Sequence, residues 1–166
     1  MENQNTFEDR LEEANILVRY REFPEACKIY EELISEGYES PELYNNYGLA
    51  LFYMDEIQEA LNKFNKAIEL NSSFALPYAN IGLIHLNDSQ YEKAIEYLLK
   101  ALEFDNSNAE THYNLAVSYY RMDNKIEALK HYEFFLKYAG EEYSKLKEGV
   151  LKIINQIKEN QDNPKA

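Results

Sequence analysis

Few of the side chains in this sequence that could act as base, nucleophile or metal ligand stand in a pattern that would use them. His85, His112 and His131 are far apart in the chain and form no HExxH or similar ligand spacing. Cys27 is the single cysteine, so neither a CxxC motif nor an internal disulfide can form. The 5 glycines make no glycine-rich phosphate loop. Carboxylates are plentiful, but acids scattered over helix surfaces are ordinary. No catalytic residue, metal or cofactor is expected. The regular polar signal is an amide: Asn46, Asn80 and Asn114 recur at equal spacing, since 80 − 46 and 114 − 80 are each 34. An asparagine amide both donates and accepts, so it can pair with the backbone of an extended peptide without reading its side chains.

The elements that carry those amides repeat with them. Ala26, Ala60, Ala94 and Ala128 keep the same step without a gap, as do Tyr30, Phe64, Leu98 and Tyr132, and Ala14, Gly48, Gly82 and Ala116. The copy from Ser40 to Ser73 predicts a helical hairpin. Leu43, Tyr47, Leu51 and Met54 fall at helical spacing in its first half, and Ile57, Leu61, Phe64 and Ile68 in its second. Asp55 and Glu56 break the two. Ser40 before Pro41 predicts a helix start, with the serine oxygen taking a free N–H. Thr6, Ser73 and Asn108 are expected to cap other first helices, and Gly37 to end a second one. Gly48, Ala60 and Ala67 allow the hairpin's backbones to approach. Such a period signals stacked hairpins, each burying its apolar face on the next.

With a small residue at the eighth position of each copy, alanine at the twentieth and an aromatic or leucine at the twenty-fourth, residues 7–142 resemble the tetratricopeptide repeat family. The resemblance implies an all-α fold, a right-handed α-solenoid of four helix-turn-helix repeats at 7–40, 41–74, 75–108 and 109–142. Departures are mild. The fourth position holds Arg10, Tyr44, Tyr78 and His112, and the usual proline is replaced by Tyr38, Ser72, Asn106 and Gly140. His85 and His112 stand where sister copies carry Leu51, Tyr119, Tyr44 and Tyr78, so they read as packing residues. Beyond Gly140, Tyr143, Leu146, Val150, Ile153, Ile154 and Ile157 form one apolar seam, predicting a capping helix over 143–159. Residues 1–6 are expected to be flexible and 160–166 disordered.

The resemblance also implies a concave groove lined by the first helix of each repeat. Carried over position by position, it places Asn46, Asn80 and Asn114 along the groove with Asn45 beside them. Leu49, Leu83 and Val117 form an apolar floor, and Phe52, Tyr53, Tyr113, Tyr120 and Arg121 lie further along. The implied function is a non-enzymatic module, an adaptor or scaffold that binds an extended peptide segment of a partner protein. The alternative is a self-assembling scaffold or a secretion-type chaperone subunit. Chaperone-binding members of the family hold a terminal carboxylate in a clamp of cations and asparagines. The two possible frames supply Leu11, Asn15, Asn46, Leu76 and Asn80, or Asn45, Leu49, Asn80, Glu110 and Asn114, and neither contains a cation.

Charge narrows the partner. The net charge of −13 is uneven, with 11 acids against 4 bases over 1–40, 10 against 4 over 41–108, and 9 against 9 over 109–166. An acidic surface of that length repels phosphate backbones, so nucleic acid is not expected and an apolar or mildly basic protein segment is. The longest apolar run, Leu49–Met54, is far below the roughly 18 residues a membrane helix needs, so no membrane span is expected. The opening MENQNTFEDR has no basic cluster ahead of an apolar segment, and a cytoplasmic location is expected.

Overall fold

The structure, a computed structural model, describes residues 6–162, so the expectations for 1–5 and 163–166 lie outside the described residues. All regular structure among them is helical. The helices are α1 (Phe7–Arg19), α2 (Phe23–Ser35), α3 (Pro41–Tyr53), α4 (Ile57–Leu70), α5 (Ala75–Asn87), α6 (Tyr91–Phe104), α7 (Ala109–Arg121) and α8 (Lys125–Tyr138). A 3₁₀ turn, Glu141–Tyr143, then leads into α9 (Ser144–Asp162). The last helix therefore starts one residue later than its apolar seam suggests and continues past residue 159, through polar sequence expected to be tail.

Local chemistry sets the helix starts. Thr6 and Asp9 form a reciprocal capping box at α1, Ser40 Oγ accepts the Leu43 N–H at 3.1 Å, and Asn108 Oδ1 accepts the Thr111 N–H at 2.8 Å. Ser73 is not a cap. It lies two residues ahead of Ala75 and donates its backbone N–H to Asn71 Oδ1 at 3.0 Å.

One device makes every hairpin turn. Arg21, Asp55, Ser89 and Asp123 all have left-handed backbone, with φ of 66°, 66°, 59° and 58°. Each is followed by a residue whose N–H reaches five residues back: Glu22 to Leu17, Glu56 to Leu51, Gln90 to His85 and Asn124 to Tyr119, at 2.8–2.9 Å. This is the Schellman closure, which satisfies two otherwise free carbonyls at a helix end and usually takes glycine at the left-handed position. Gly37 does so after α2, with φ of 90°.

Beneath the turns lies the repeated core. Ala26, Ala60, Ala94 and Ala128 are fully buried, and Tyr30, Phe64, Leu98 and Tyr132 are at most 1% exposed. A Cβ added to Gly48 would come within 2.8 Å of the Phe64 ring, and one added to Gly82 within 2.6 Å of Leu98 Cγ. Those two glycines are what allow α3 to lie on α4 and α5 on α6.

The chain divides into two compact units, Met1–Asn80 and Ile81–Ala166, the division falling within α5. In the first, α1 packs on α2, α2 on α3 and α3 on α4. In the second, α6 packs on α7, α7 on α8 and α8 on α9, where Val150 and Ile154 join Tyr132 and Phe135 in one core. Covering α8 in this way is what the seam on α9 is for. Lys158 to Glu133, 3.1 Å apart, ties its far end.

Candidate functional site

Each unit carries a hollow beside its odd-numbered helices. The hollow of the first unit, about 240 Å³, is lined by Asn15, Val18, Arg19, Asn46 and Leu49. Its cation is engaged, since Arg19 pairs with Glu12 at 2.6 Å. The hollow of the second unit is larger, about 480 Å³. α5 gives it Leu83, Leu86 and Asn87, α7 gives it Tyr113, Asn114, Val117 and Arg121, and Ser89 and Tyr91 close the turn between α5 and α6.

The asparagines are used differently in the two units. In the first they form a chain of side-chain hydrogen bonds. The Tyr30 hydroxyl donates to Asn15 Oδ1 at 2.8 Å and the Asn46 amide donates to the same oxygen at 2.9 Å. Asn45 donates to Asn46 Oδ1 and Asn80 donates to Asn45 Oδ1, both at 3.0 Å. Asn45, expected on the groove wall, is only 2% exposed and serves as the buried link. A fully wrapped amide must find partners inside the protein, and its neighbours in this chain are the partners available. Asn46 remains half-buried at the hollow's edge, and Asn80 is half-buried outside both hollows. In the second unit, Asn114 lines the hollow and its amide makes no hydrogen bond among the described residues; only its backbone carbonyl is used, by Ser118 Oγ at 2.8 Å.

Leu49, Leu83 and Val117 line the hollows, but three expected aromatics do not. Tyr53 stacks on Phe23 with ring centroids 5.1 Å apart, Phe52 leans on Tyr53 at 5.5 Å, and Tyr120 is exposed to solvent. Tyr113 does line the second hollow, with the rings of Tyr132 and Phe135 tilted against it at centroid distances of 6.2 and 5.4 Å. Leu86 and Asn87 occupy groove-facing positions of the family pattern and line this hollow too, whereas sequence reasoning did not include Ser89 and Tyr91, which belong to the turn and the following helix and are left out by a pattern drawn only from first helices.

The same α3–α7 stretch that carries the repeated turns and core is matched by the TPR repeat model, over residues 48–89 and 88–123. The chain belongs to the tetratricopeptide repeat family. Among TPR relatives, it is 28% identical over 115 residues to the Hsp70-Hsp90 organizing protein of Triticum aestivum, covering 66% of this chain and 20% of that protein. This chain thus spans about a fifth of that relative's length. Among solved structures, MamA aligns with a TM-score of 0.70 at 24% identity, over 87% of this chain and 83% of that one. YrrB, a TPR protein with an unusual peptide-binding site, aligns with a TM-score of 0.61 at 23% identity, over 75% and 64%. These likenesses show the fold, which is all-α and of the helical-hairpin solenoid class.

The TPR histidines are structural. His112 and His131 are 4% and 5% exposed, with their Nδ1 atoms 3.0 Å apart. His112 Nε2 faces the Asn106 carbonyl at 3.1 Å and must donate there, which leaves its Nδ1 to accept from the Nδ1–H of His131. Burial pushes both rings below the ordinary histidine value, His131 to about 4, with the neighbouring imidazole adding to the effect. His85 is half-buried, stacked on Tyr97 and bonded to Gln90 at 3.0 Å. The buried Cys27 thiol is pushed up to about 11, first by burial and then by Glu31, so it is not an activated nucleophile. Among the described residues no group of three or more potential ligands could hold a metal ion, and no helix is long and apolar enough to cross a membrane.

Proposed function

We propose that this chain is a non-enzymatic binding module that holds an extended segment of a partner protein in its hollows. Residues 7–142 act as four repeats and α9 covers the last. The carrying observation is the second hollow, where an apolar floor of Leu83, Leu86 and Val117 lies beside an Asn114 amide that makes no hydrogen bond among the described residues. A backbone amide of a ligand can satisfy Asn114 while the ligand's side chain covers the floor. Sharing a fold with YrrB, which has a peptide-binding site, supports the reading.

The first unit suits an apolar or mildly basic portion of a partner. It carries 16 acids against 6 bases, a balance of −10, which also repels nucleic acid. The reading sets this binding in the cytoplasm, in keeping with the lone free thiol of Cys27.

The test is anisotropy of fluorescent, unstructured peptides with and without backbone N-methylation, against wild type, Val117→Asp and Asn114→Ala. Binding should weaken at least about tenfold for Val117→Asp, since a buried charge on the floor is costly, and N-methylated peptides should bind Asn114→Ala and wild type alike. Binding untouched by Val117→Asp overturns the proposal. So does light scattering in which self-association consumes the same surface.

A further inference from the structure

We infer that the second hollow reads an acidic side chain of its ligand, held by Arg121 about three residues along from the point where Asn114 grips the ligand backbone. The inference rests on the binding reading above and names the chemistry that hollow selects.

Arg121 lines the hollow, is exposed and makes no ion pair among the described residues. The acids nearest to it in sequence are engaged elsewhere: Asp123 with Lys125 and Glu127 with Lys130, both at 3.2 Å. This contrasts with Arg19, the corresponding side chain in the first hollow, whose charge is taken by Glu12. The setting favours a negative ligand as well, because Ile81–Ala166 carries 14 acids against 11 bases, a balance of −3, compared with −10 for the first unit.

Spacing fixes the ligand's pattern. Asn114 and Arg121 are seven residues apart on α7, about 10 Å along the axis. An extended chain covers that distance in about three residues. A carboxylate can take two parallel N–H bonds from the guanidinium, and Leu83, Leu86 and Val117 accept an apolar side chain between. Arg121 occupies none of the terminal-carboxylate clamp positions, so the charge it meets is that of an internal Asp or Glu.

The probe is a set of fluorescent octapeptides, amidated at the C-terminus, with Leu fixed at the third position and Glu, Gln or Lys at the sixth. A further set carries Gln at the sixth position and a free terminal carboxylate. Wild type should bind the Glu set about three- to tenfold more tightly than the Gln set at low salt, with Lys weakest and the preference shrinking at high salt. Arg121→Gln should erase the preference, bringing the Glu and Gln sets to equal affinity. Equal binding of Glu and Gln sets, or stronger binding of the free-terminus set than of the Glu set, overturns the inference. If the charge-blind binding then falls with Val117→Asp, the binding reading stands while this inference fails. Binding of none of the sets overturns both.

Discussion

The two units put the same asparagine register to different uses. In Met1–Asn80 the amides bond one another, from Tyr30 through Asn15, Asn46 and Asn45 to Asn80. In Ile81–Ala166 the equivalent amide, Asn114, faces an open hollow. The cause lies in the neighbouring register positions. Asn46 has Asn15 and Asn45 beside it; one step along the repeat from Asn80, the corresponding neighbours of Asn114 are Leu83 and Tyr113, which offer no amide. A repeated polar residue is therefore structural or available according to what the preceding repeat supplies. Charge divides the same way, as do the histidines, all three of which belong to the second unit.

The largest effects should come from the core, where the units are alike. Phe64→Ala in the first and Tyr132→Ala in the second each remove a ring that is at most 1% exposed, and should each cost about 3–5 kcal/mol by leaving a cavity between hairpins. Hydrogen exchange should show protection falling most within the unit that carries the change. Equal loss in both units from either substitution would erase the division on which the comparison rests.

Acid should sharpen the contrast. Folded His131 stays neutral down to about pH 4, whereas the unfolded side chain protonates near 6.5. The unfolded state thus takes up more protons between those values, so stability is full above the window and is lost as the pH falls through it. The loss totals about 3 kcal/mol, of which about 2 falls between pH 6.5 and 5, above the carboxylate range. His112 shifts in the same direction. Urea titrations followed by exchange protection should show the loss in Ile81–Ala166, and His131→Phe should flatten it. A slope of the same size in Met1–Asn80, which has no histidine, would contradict this account.

Next in size is the asparagine chain itself. Asn45→Ala would leave Asn46 Oδ1 and the Asn80 amide short of a partner next to a buried position, at a cost of about 1–3 kcal/mol. Asn114→Ala should change stability by about 0.5 kcal/mol or less, because its amide holds nothing together and alanine is the better helix former. Equal urea midpoints for the two variants would mean that the chain contributes nothing and that the two amides do not differ.

The period made much of this legible. Ala26 through Ala128 and Tyr30 through Tyr132 placed the core, and Thr6, Ser40 and Asn108 marked helix starts, because a core position or a cap depends on residue type and local spacing. The seam from Tyr143 to Ile157 marked a helix but not its ends, since polar residues carry no period with which to mark a stop. The bonding of Asn45 was harder to see. The asparagines at 15, 45, 46 and 80 were visible, yet which of them touch depends on packing between repeats, and a single-register reading does not include it. The exposed place of Tyr120 and the stacking of Tyr53 on Phe23 escaped for the same reason.

The turns were hidden differently, and they give the smallest prediction. Left-handed backbone is usually read from glycine, but here Arg21, Asp55, Ser89 and Asp123 adopt it with a side chain in place. Each carries strain of roughly 1 kcal/mol, offset by the two hydrogen bonds of its closure. Glycine would relieve that strain while gaining freedom in the unfolded chain, so Arg21→Gly and Asp55→Gly should each stabilise the first unit by a few tenths of a kcal/mol. Asp123→Gly should gain less in the second unit, because it also gives up the pair with Lys125, an exposed contact that contributes little. Thermal melts of the three variants should therefore rank Arg21 and Asp55 above Asp123. A loss of stability at Arg21 would mean that its side chain, rather than its backbone, is what holds that turn.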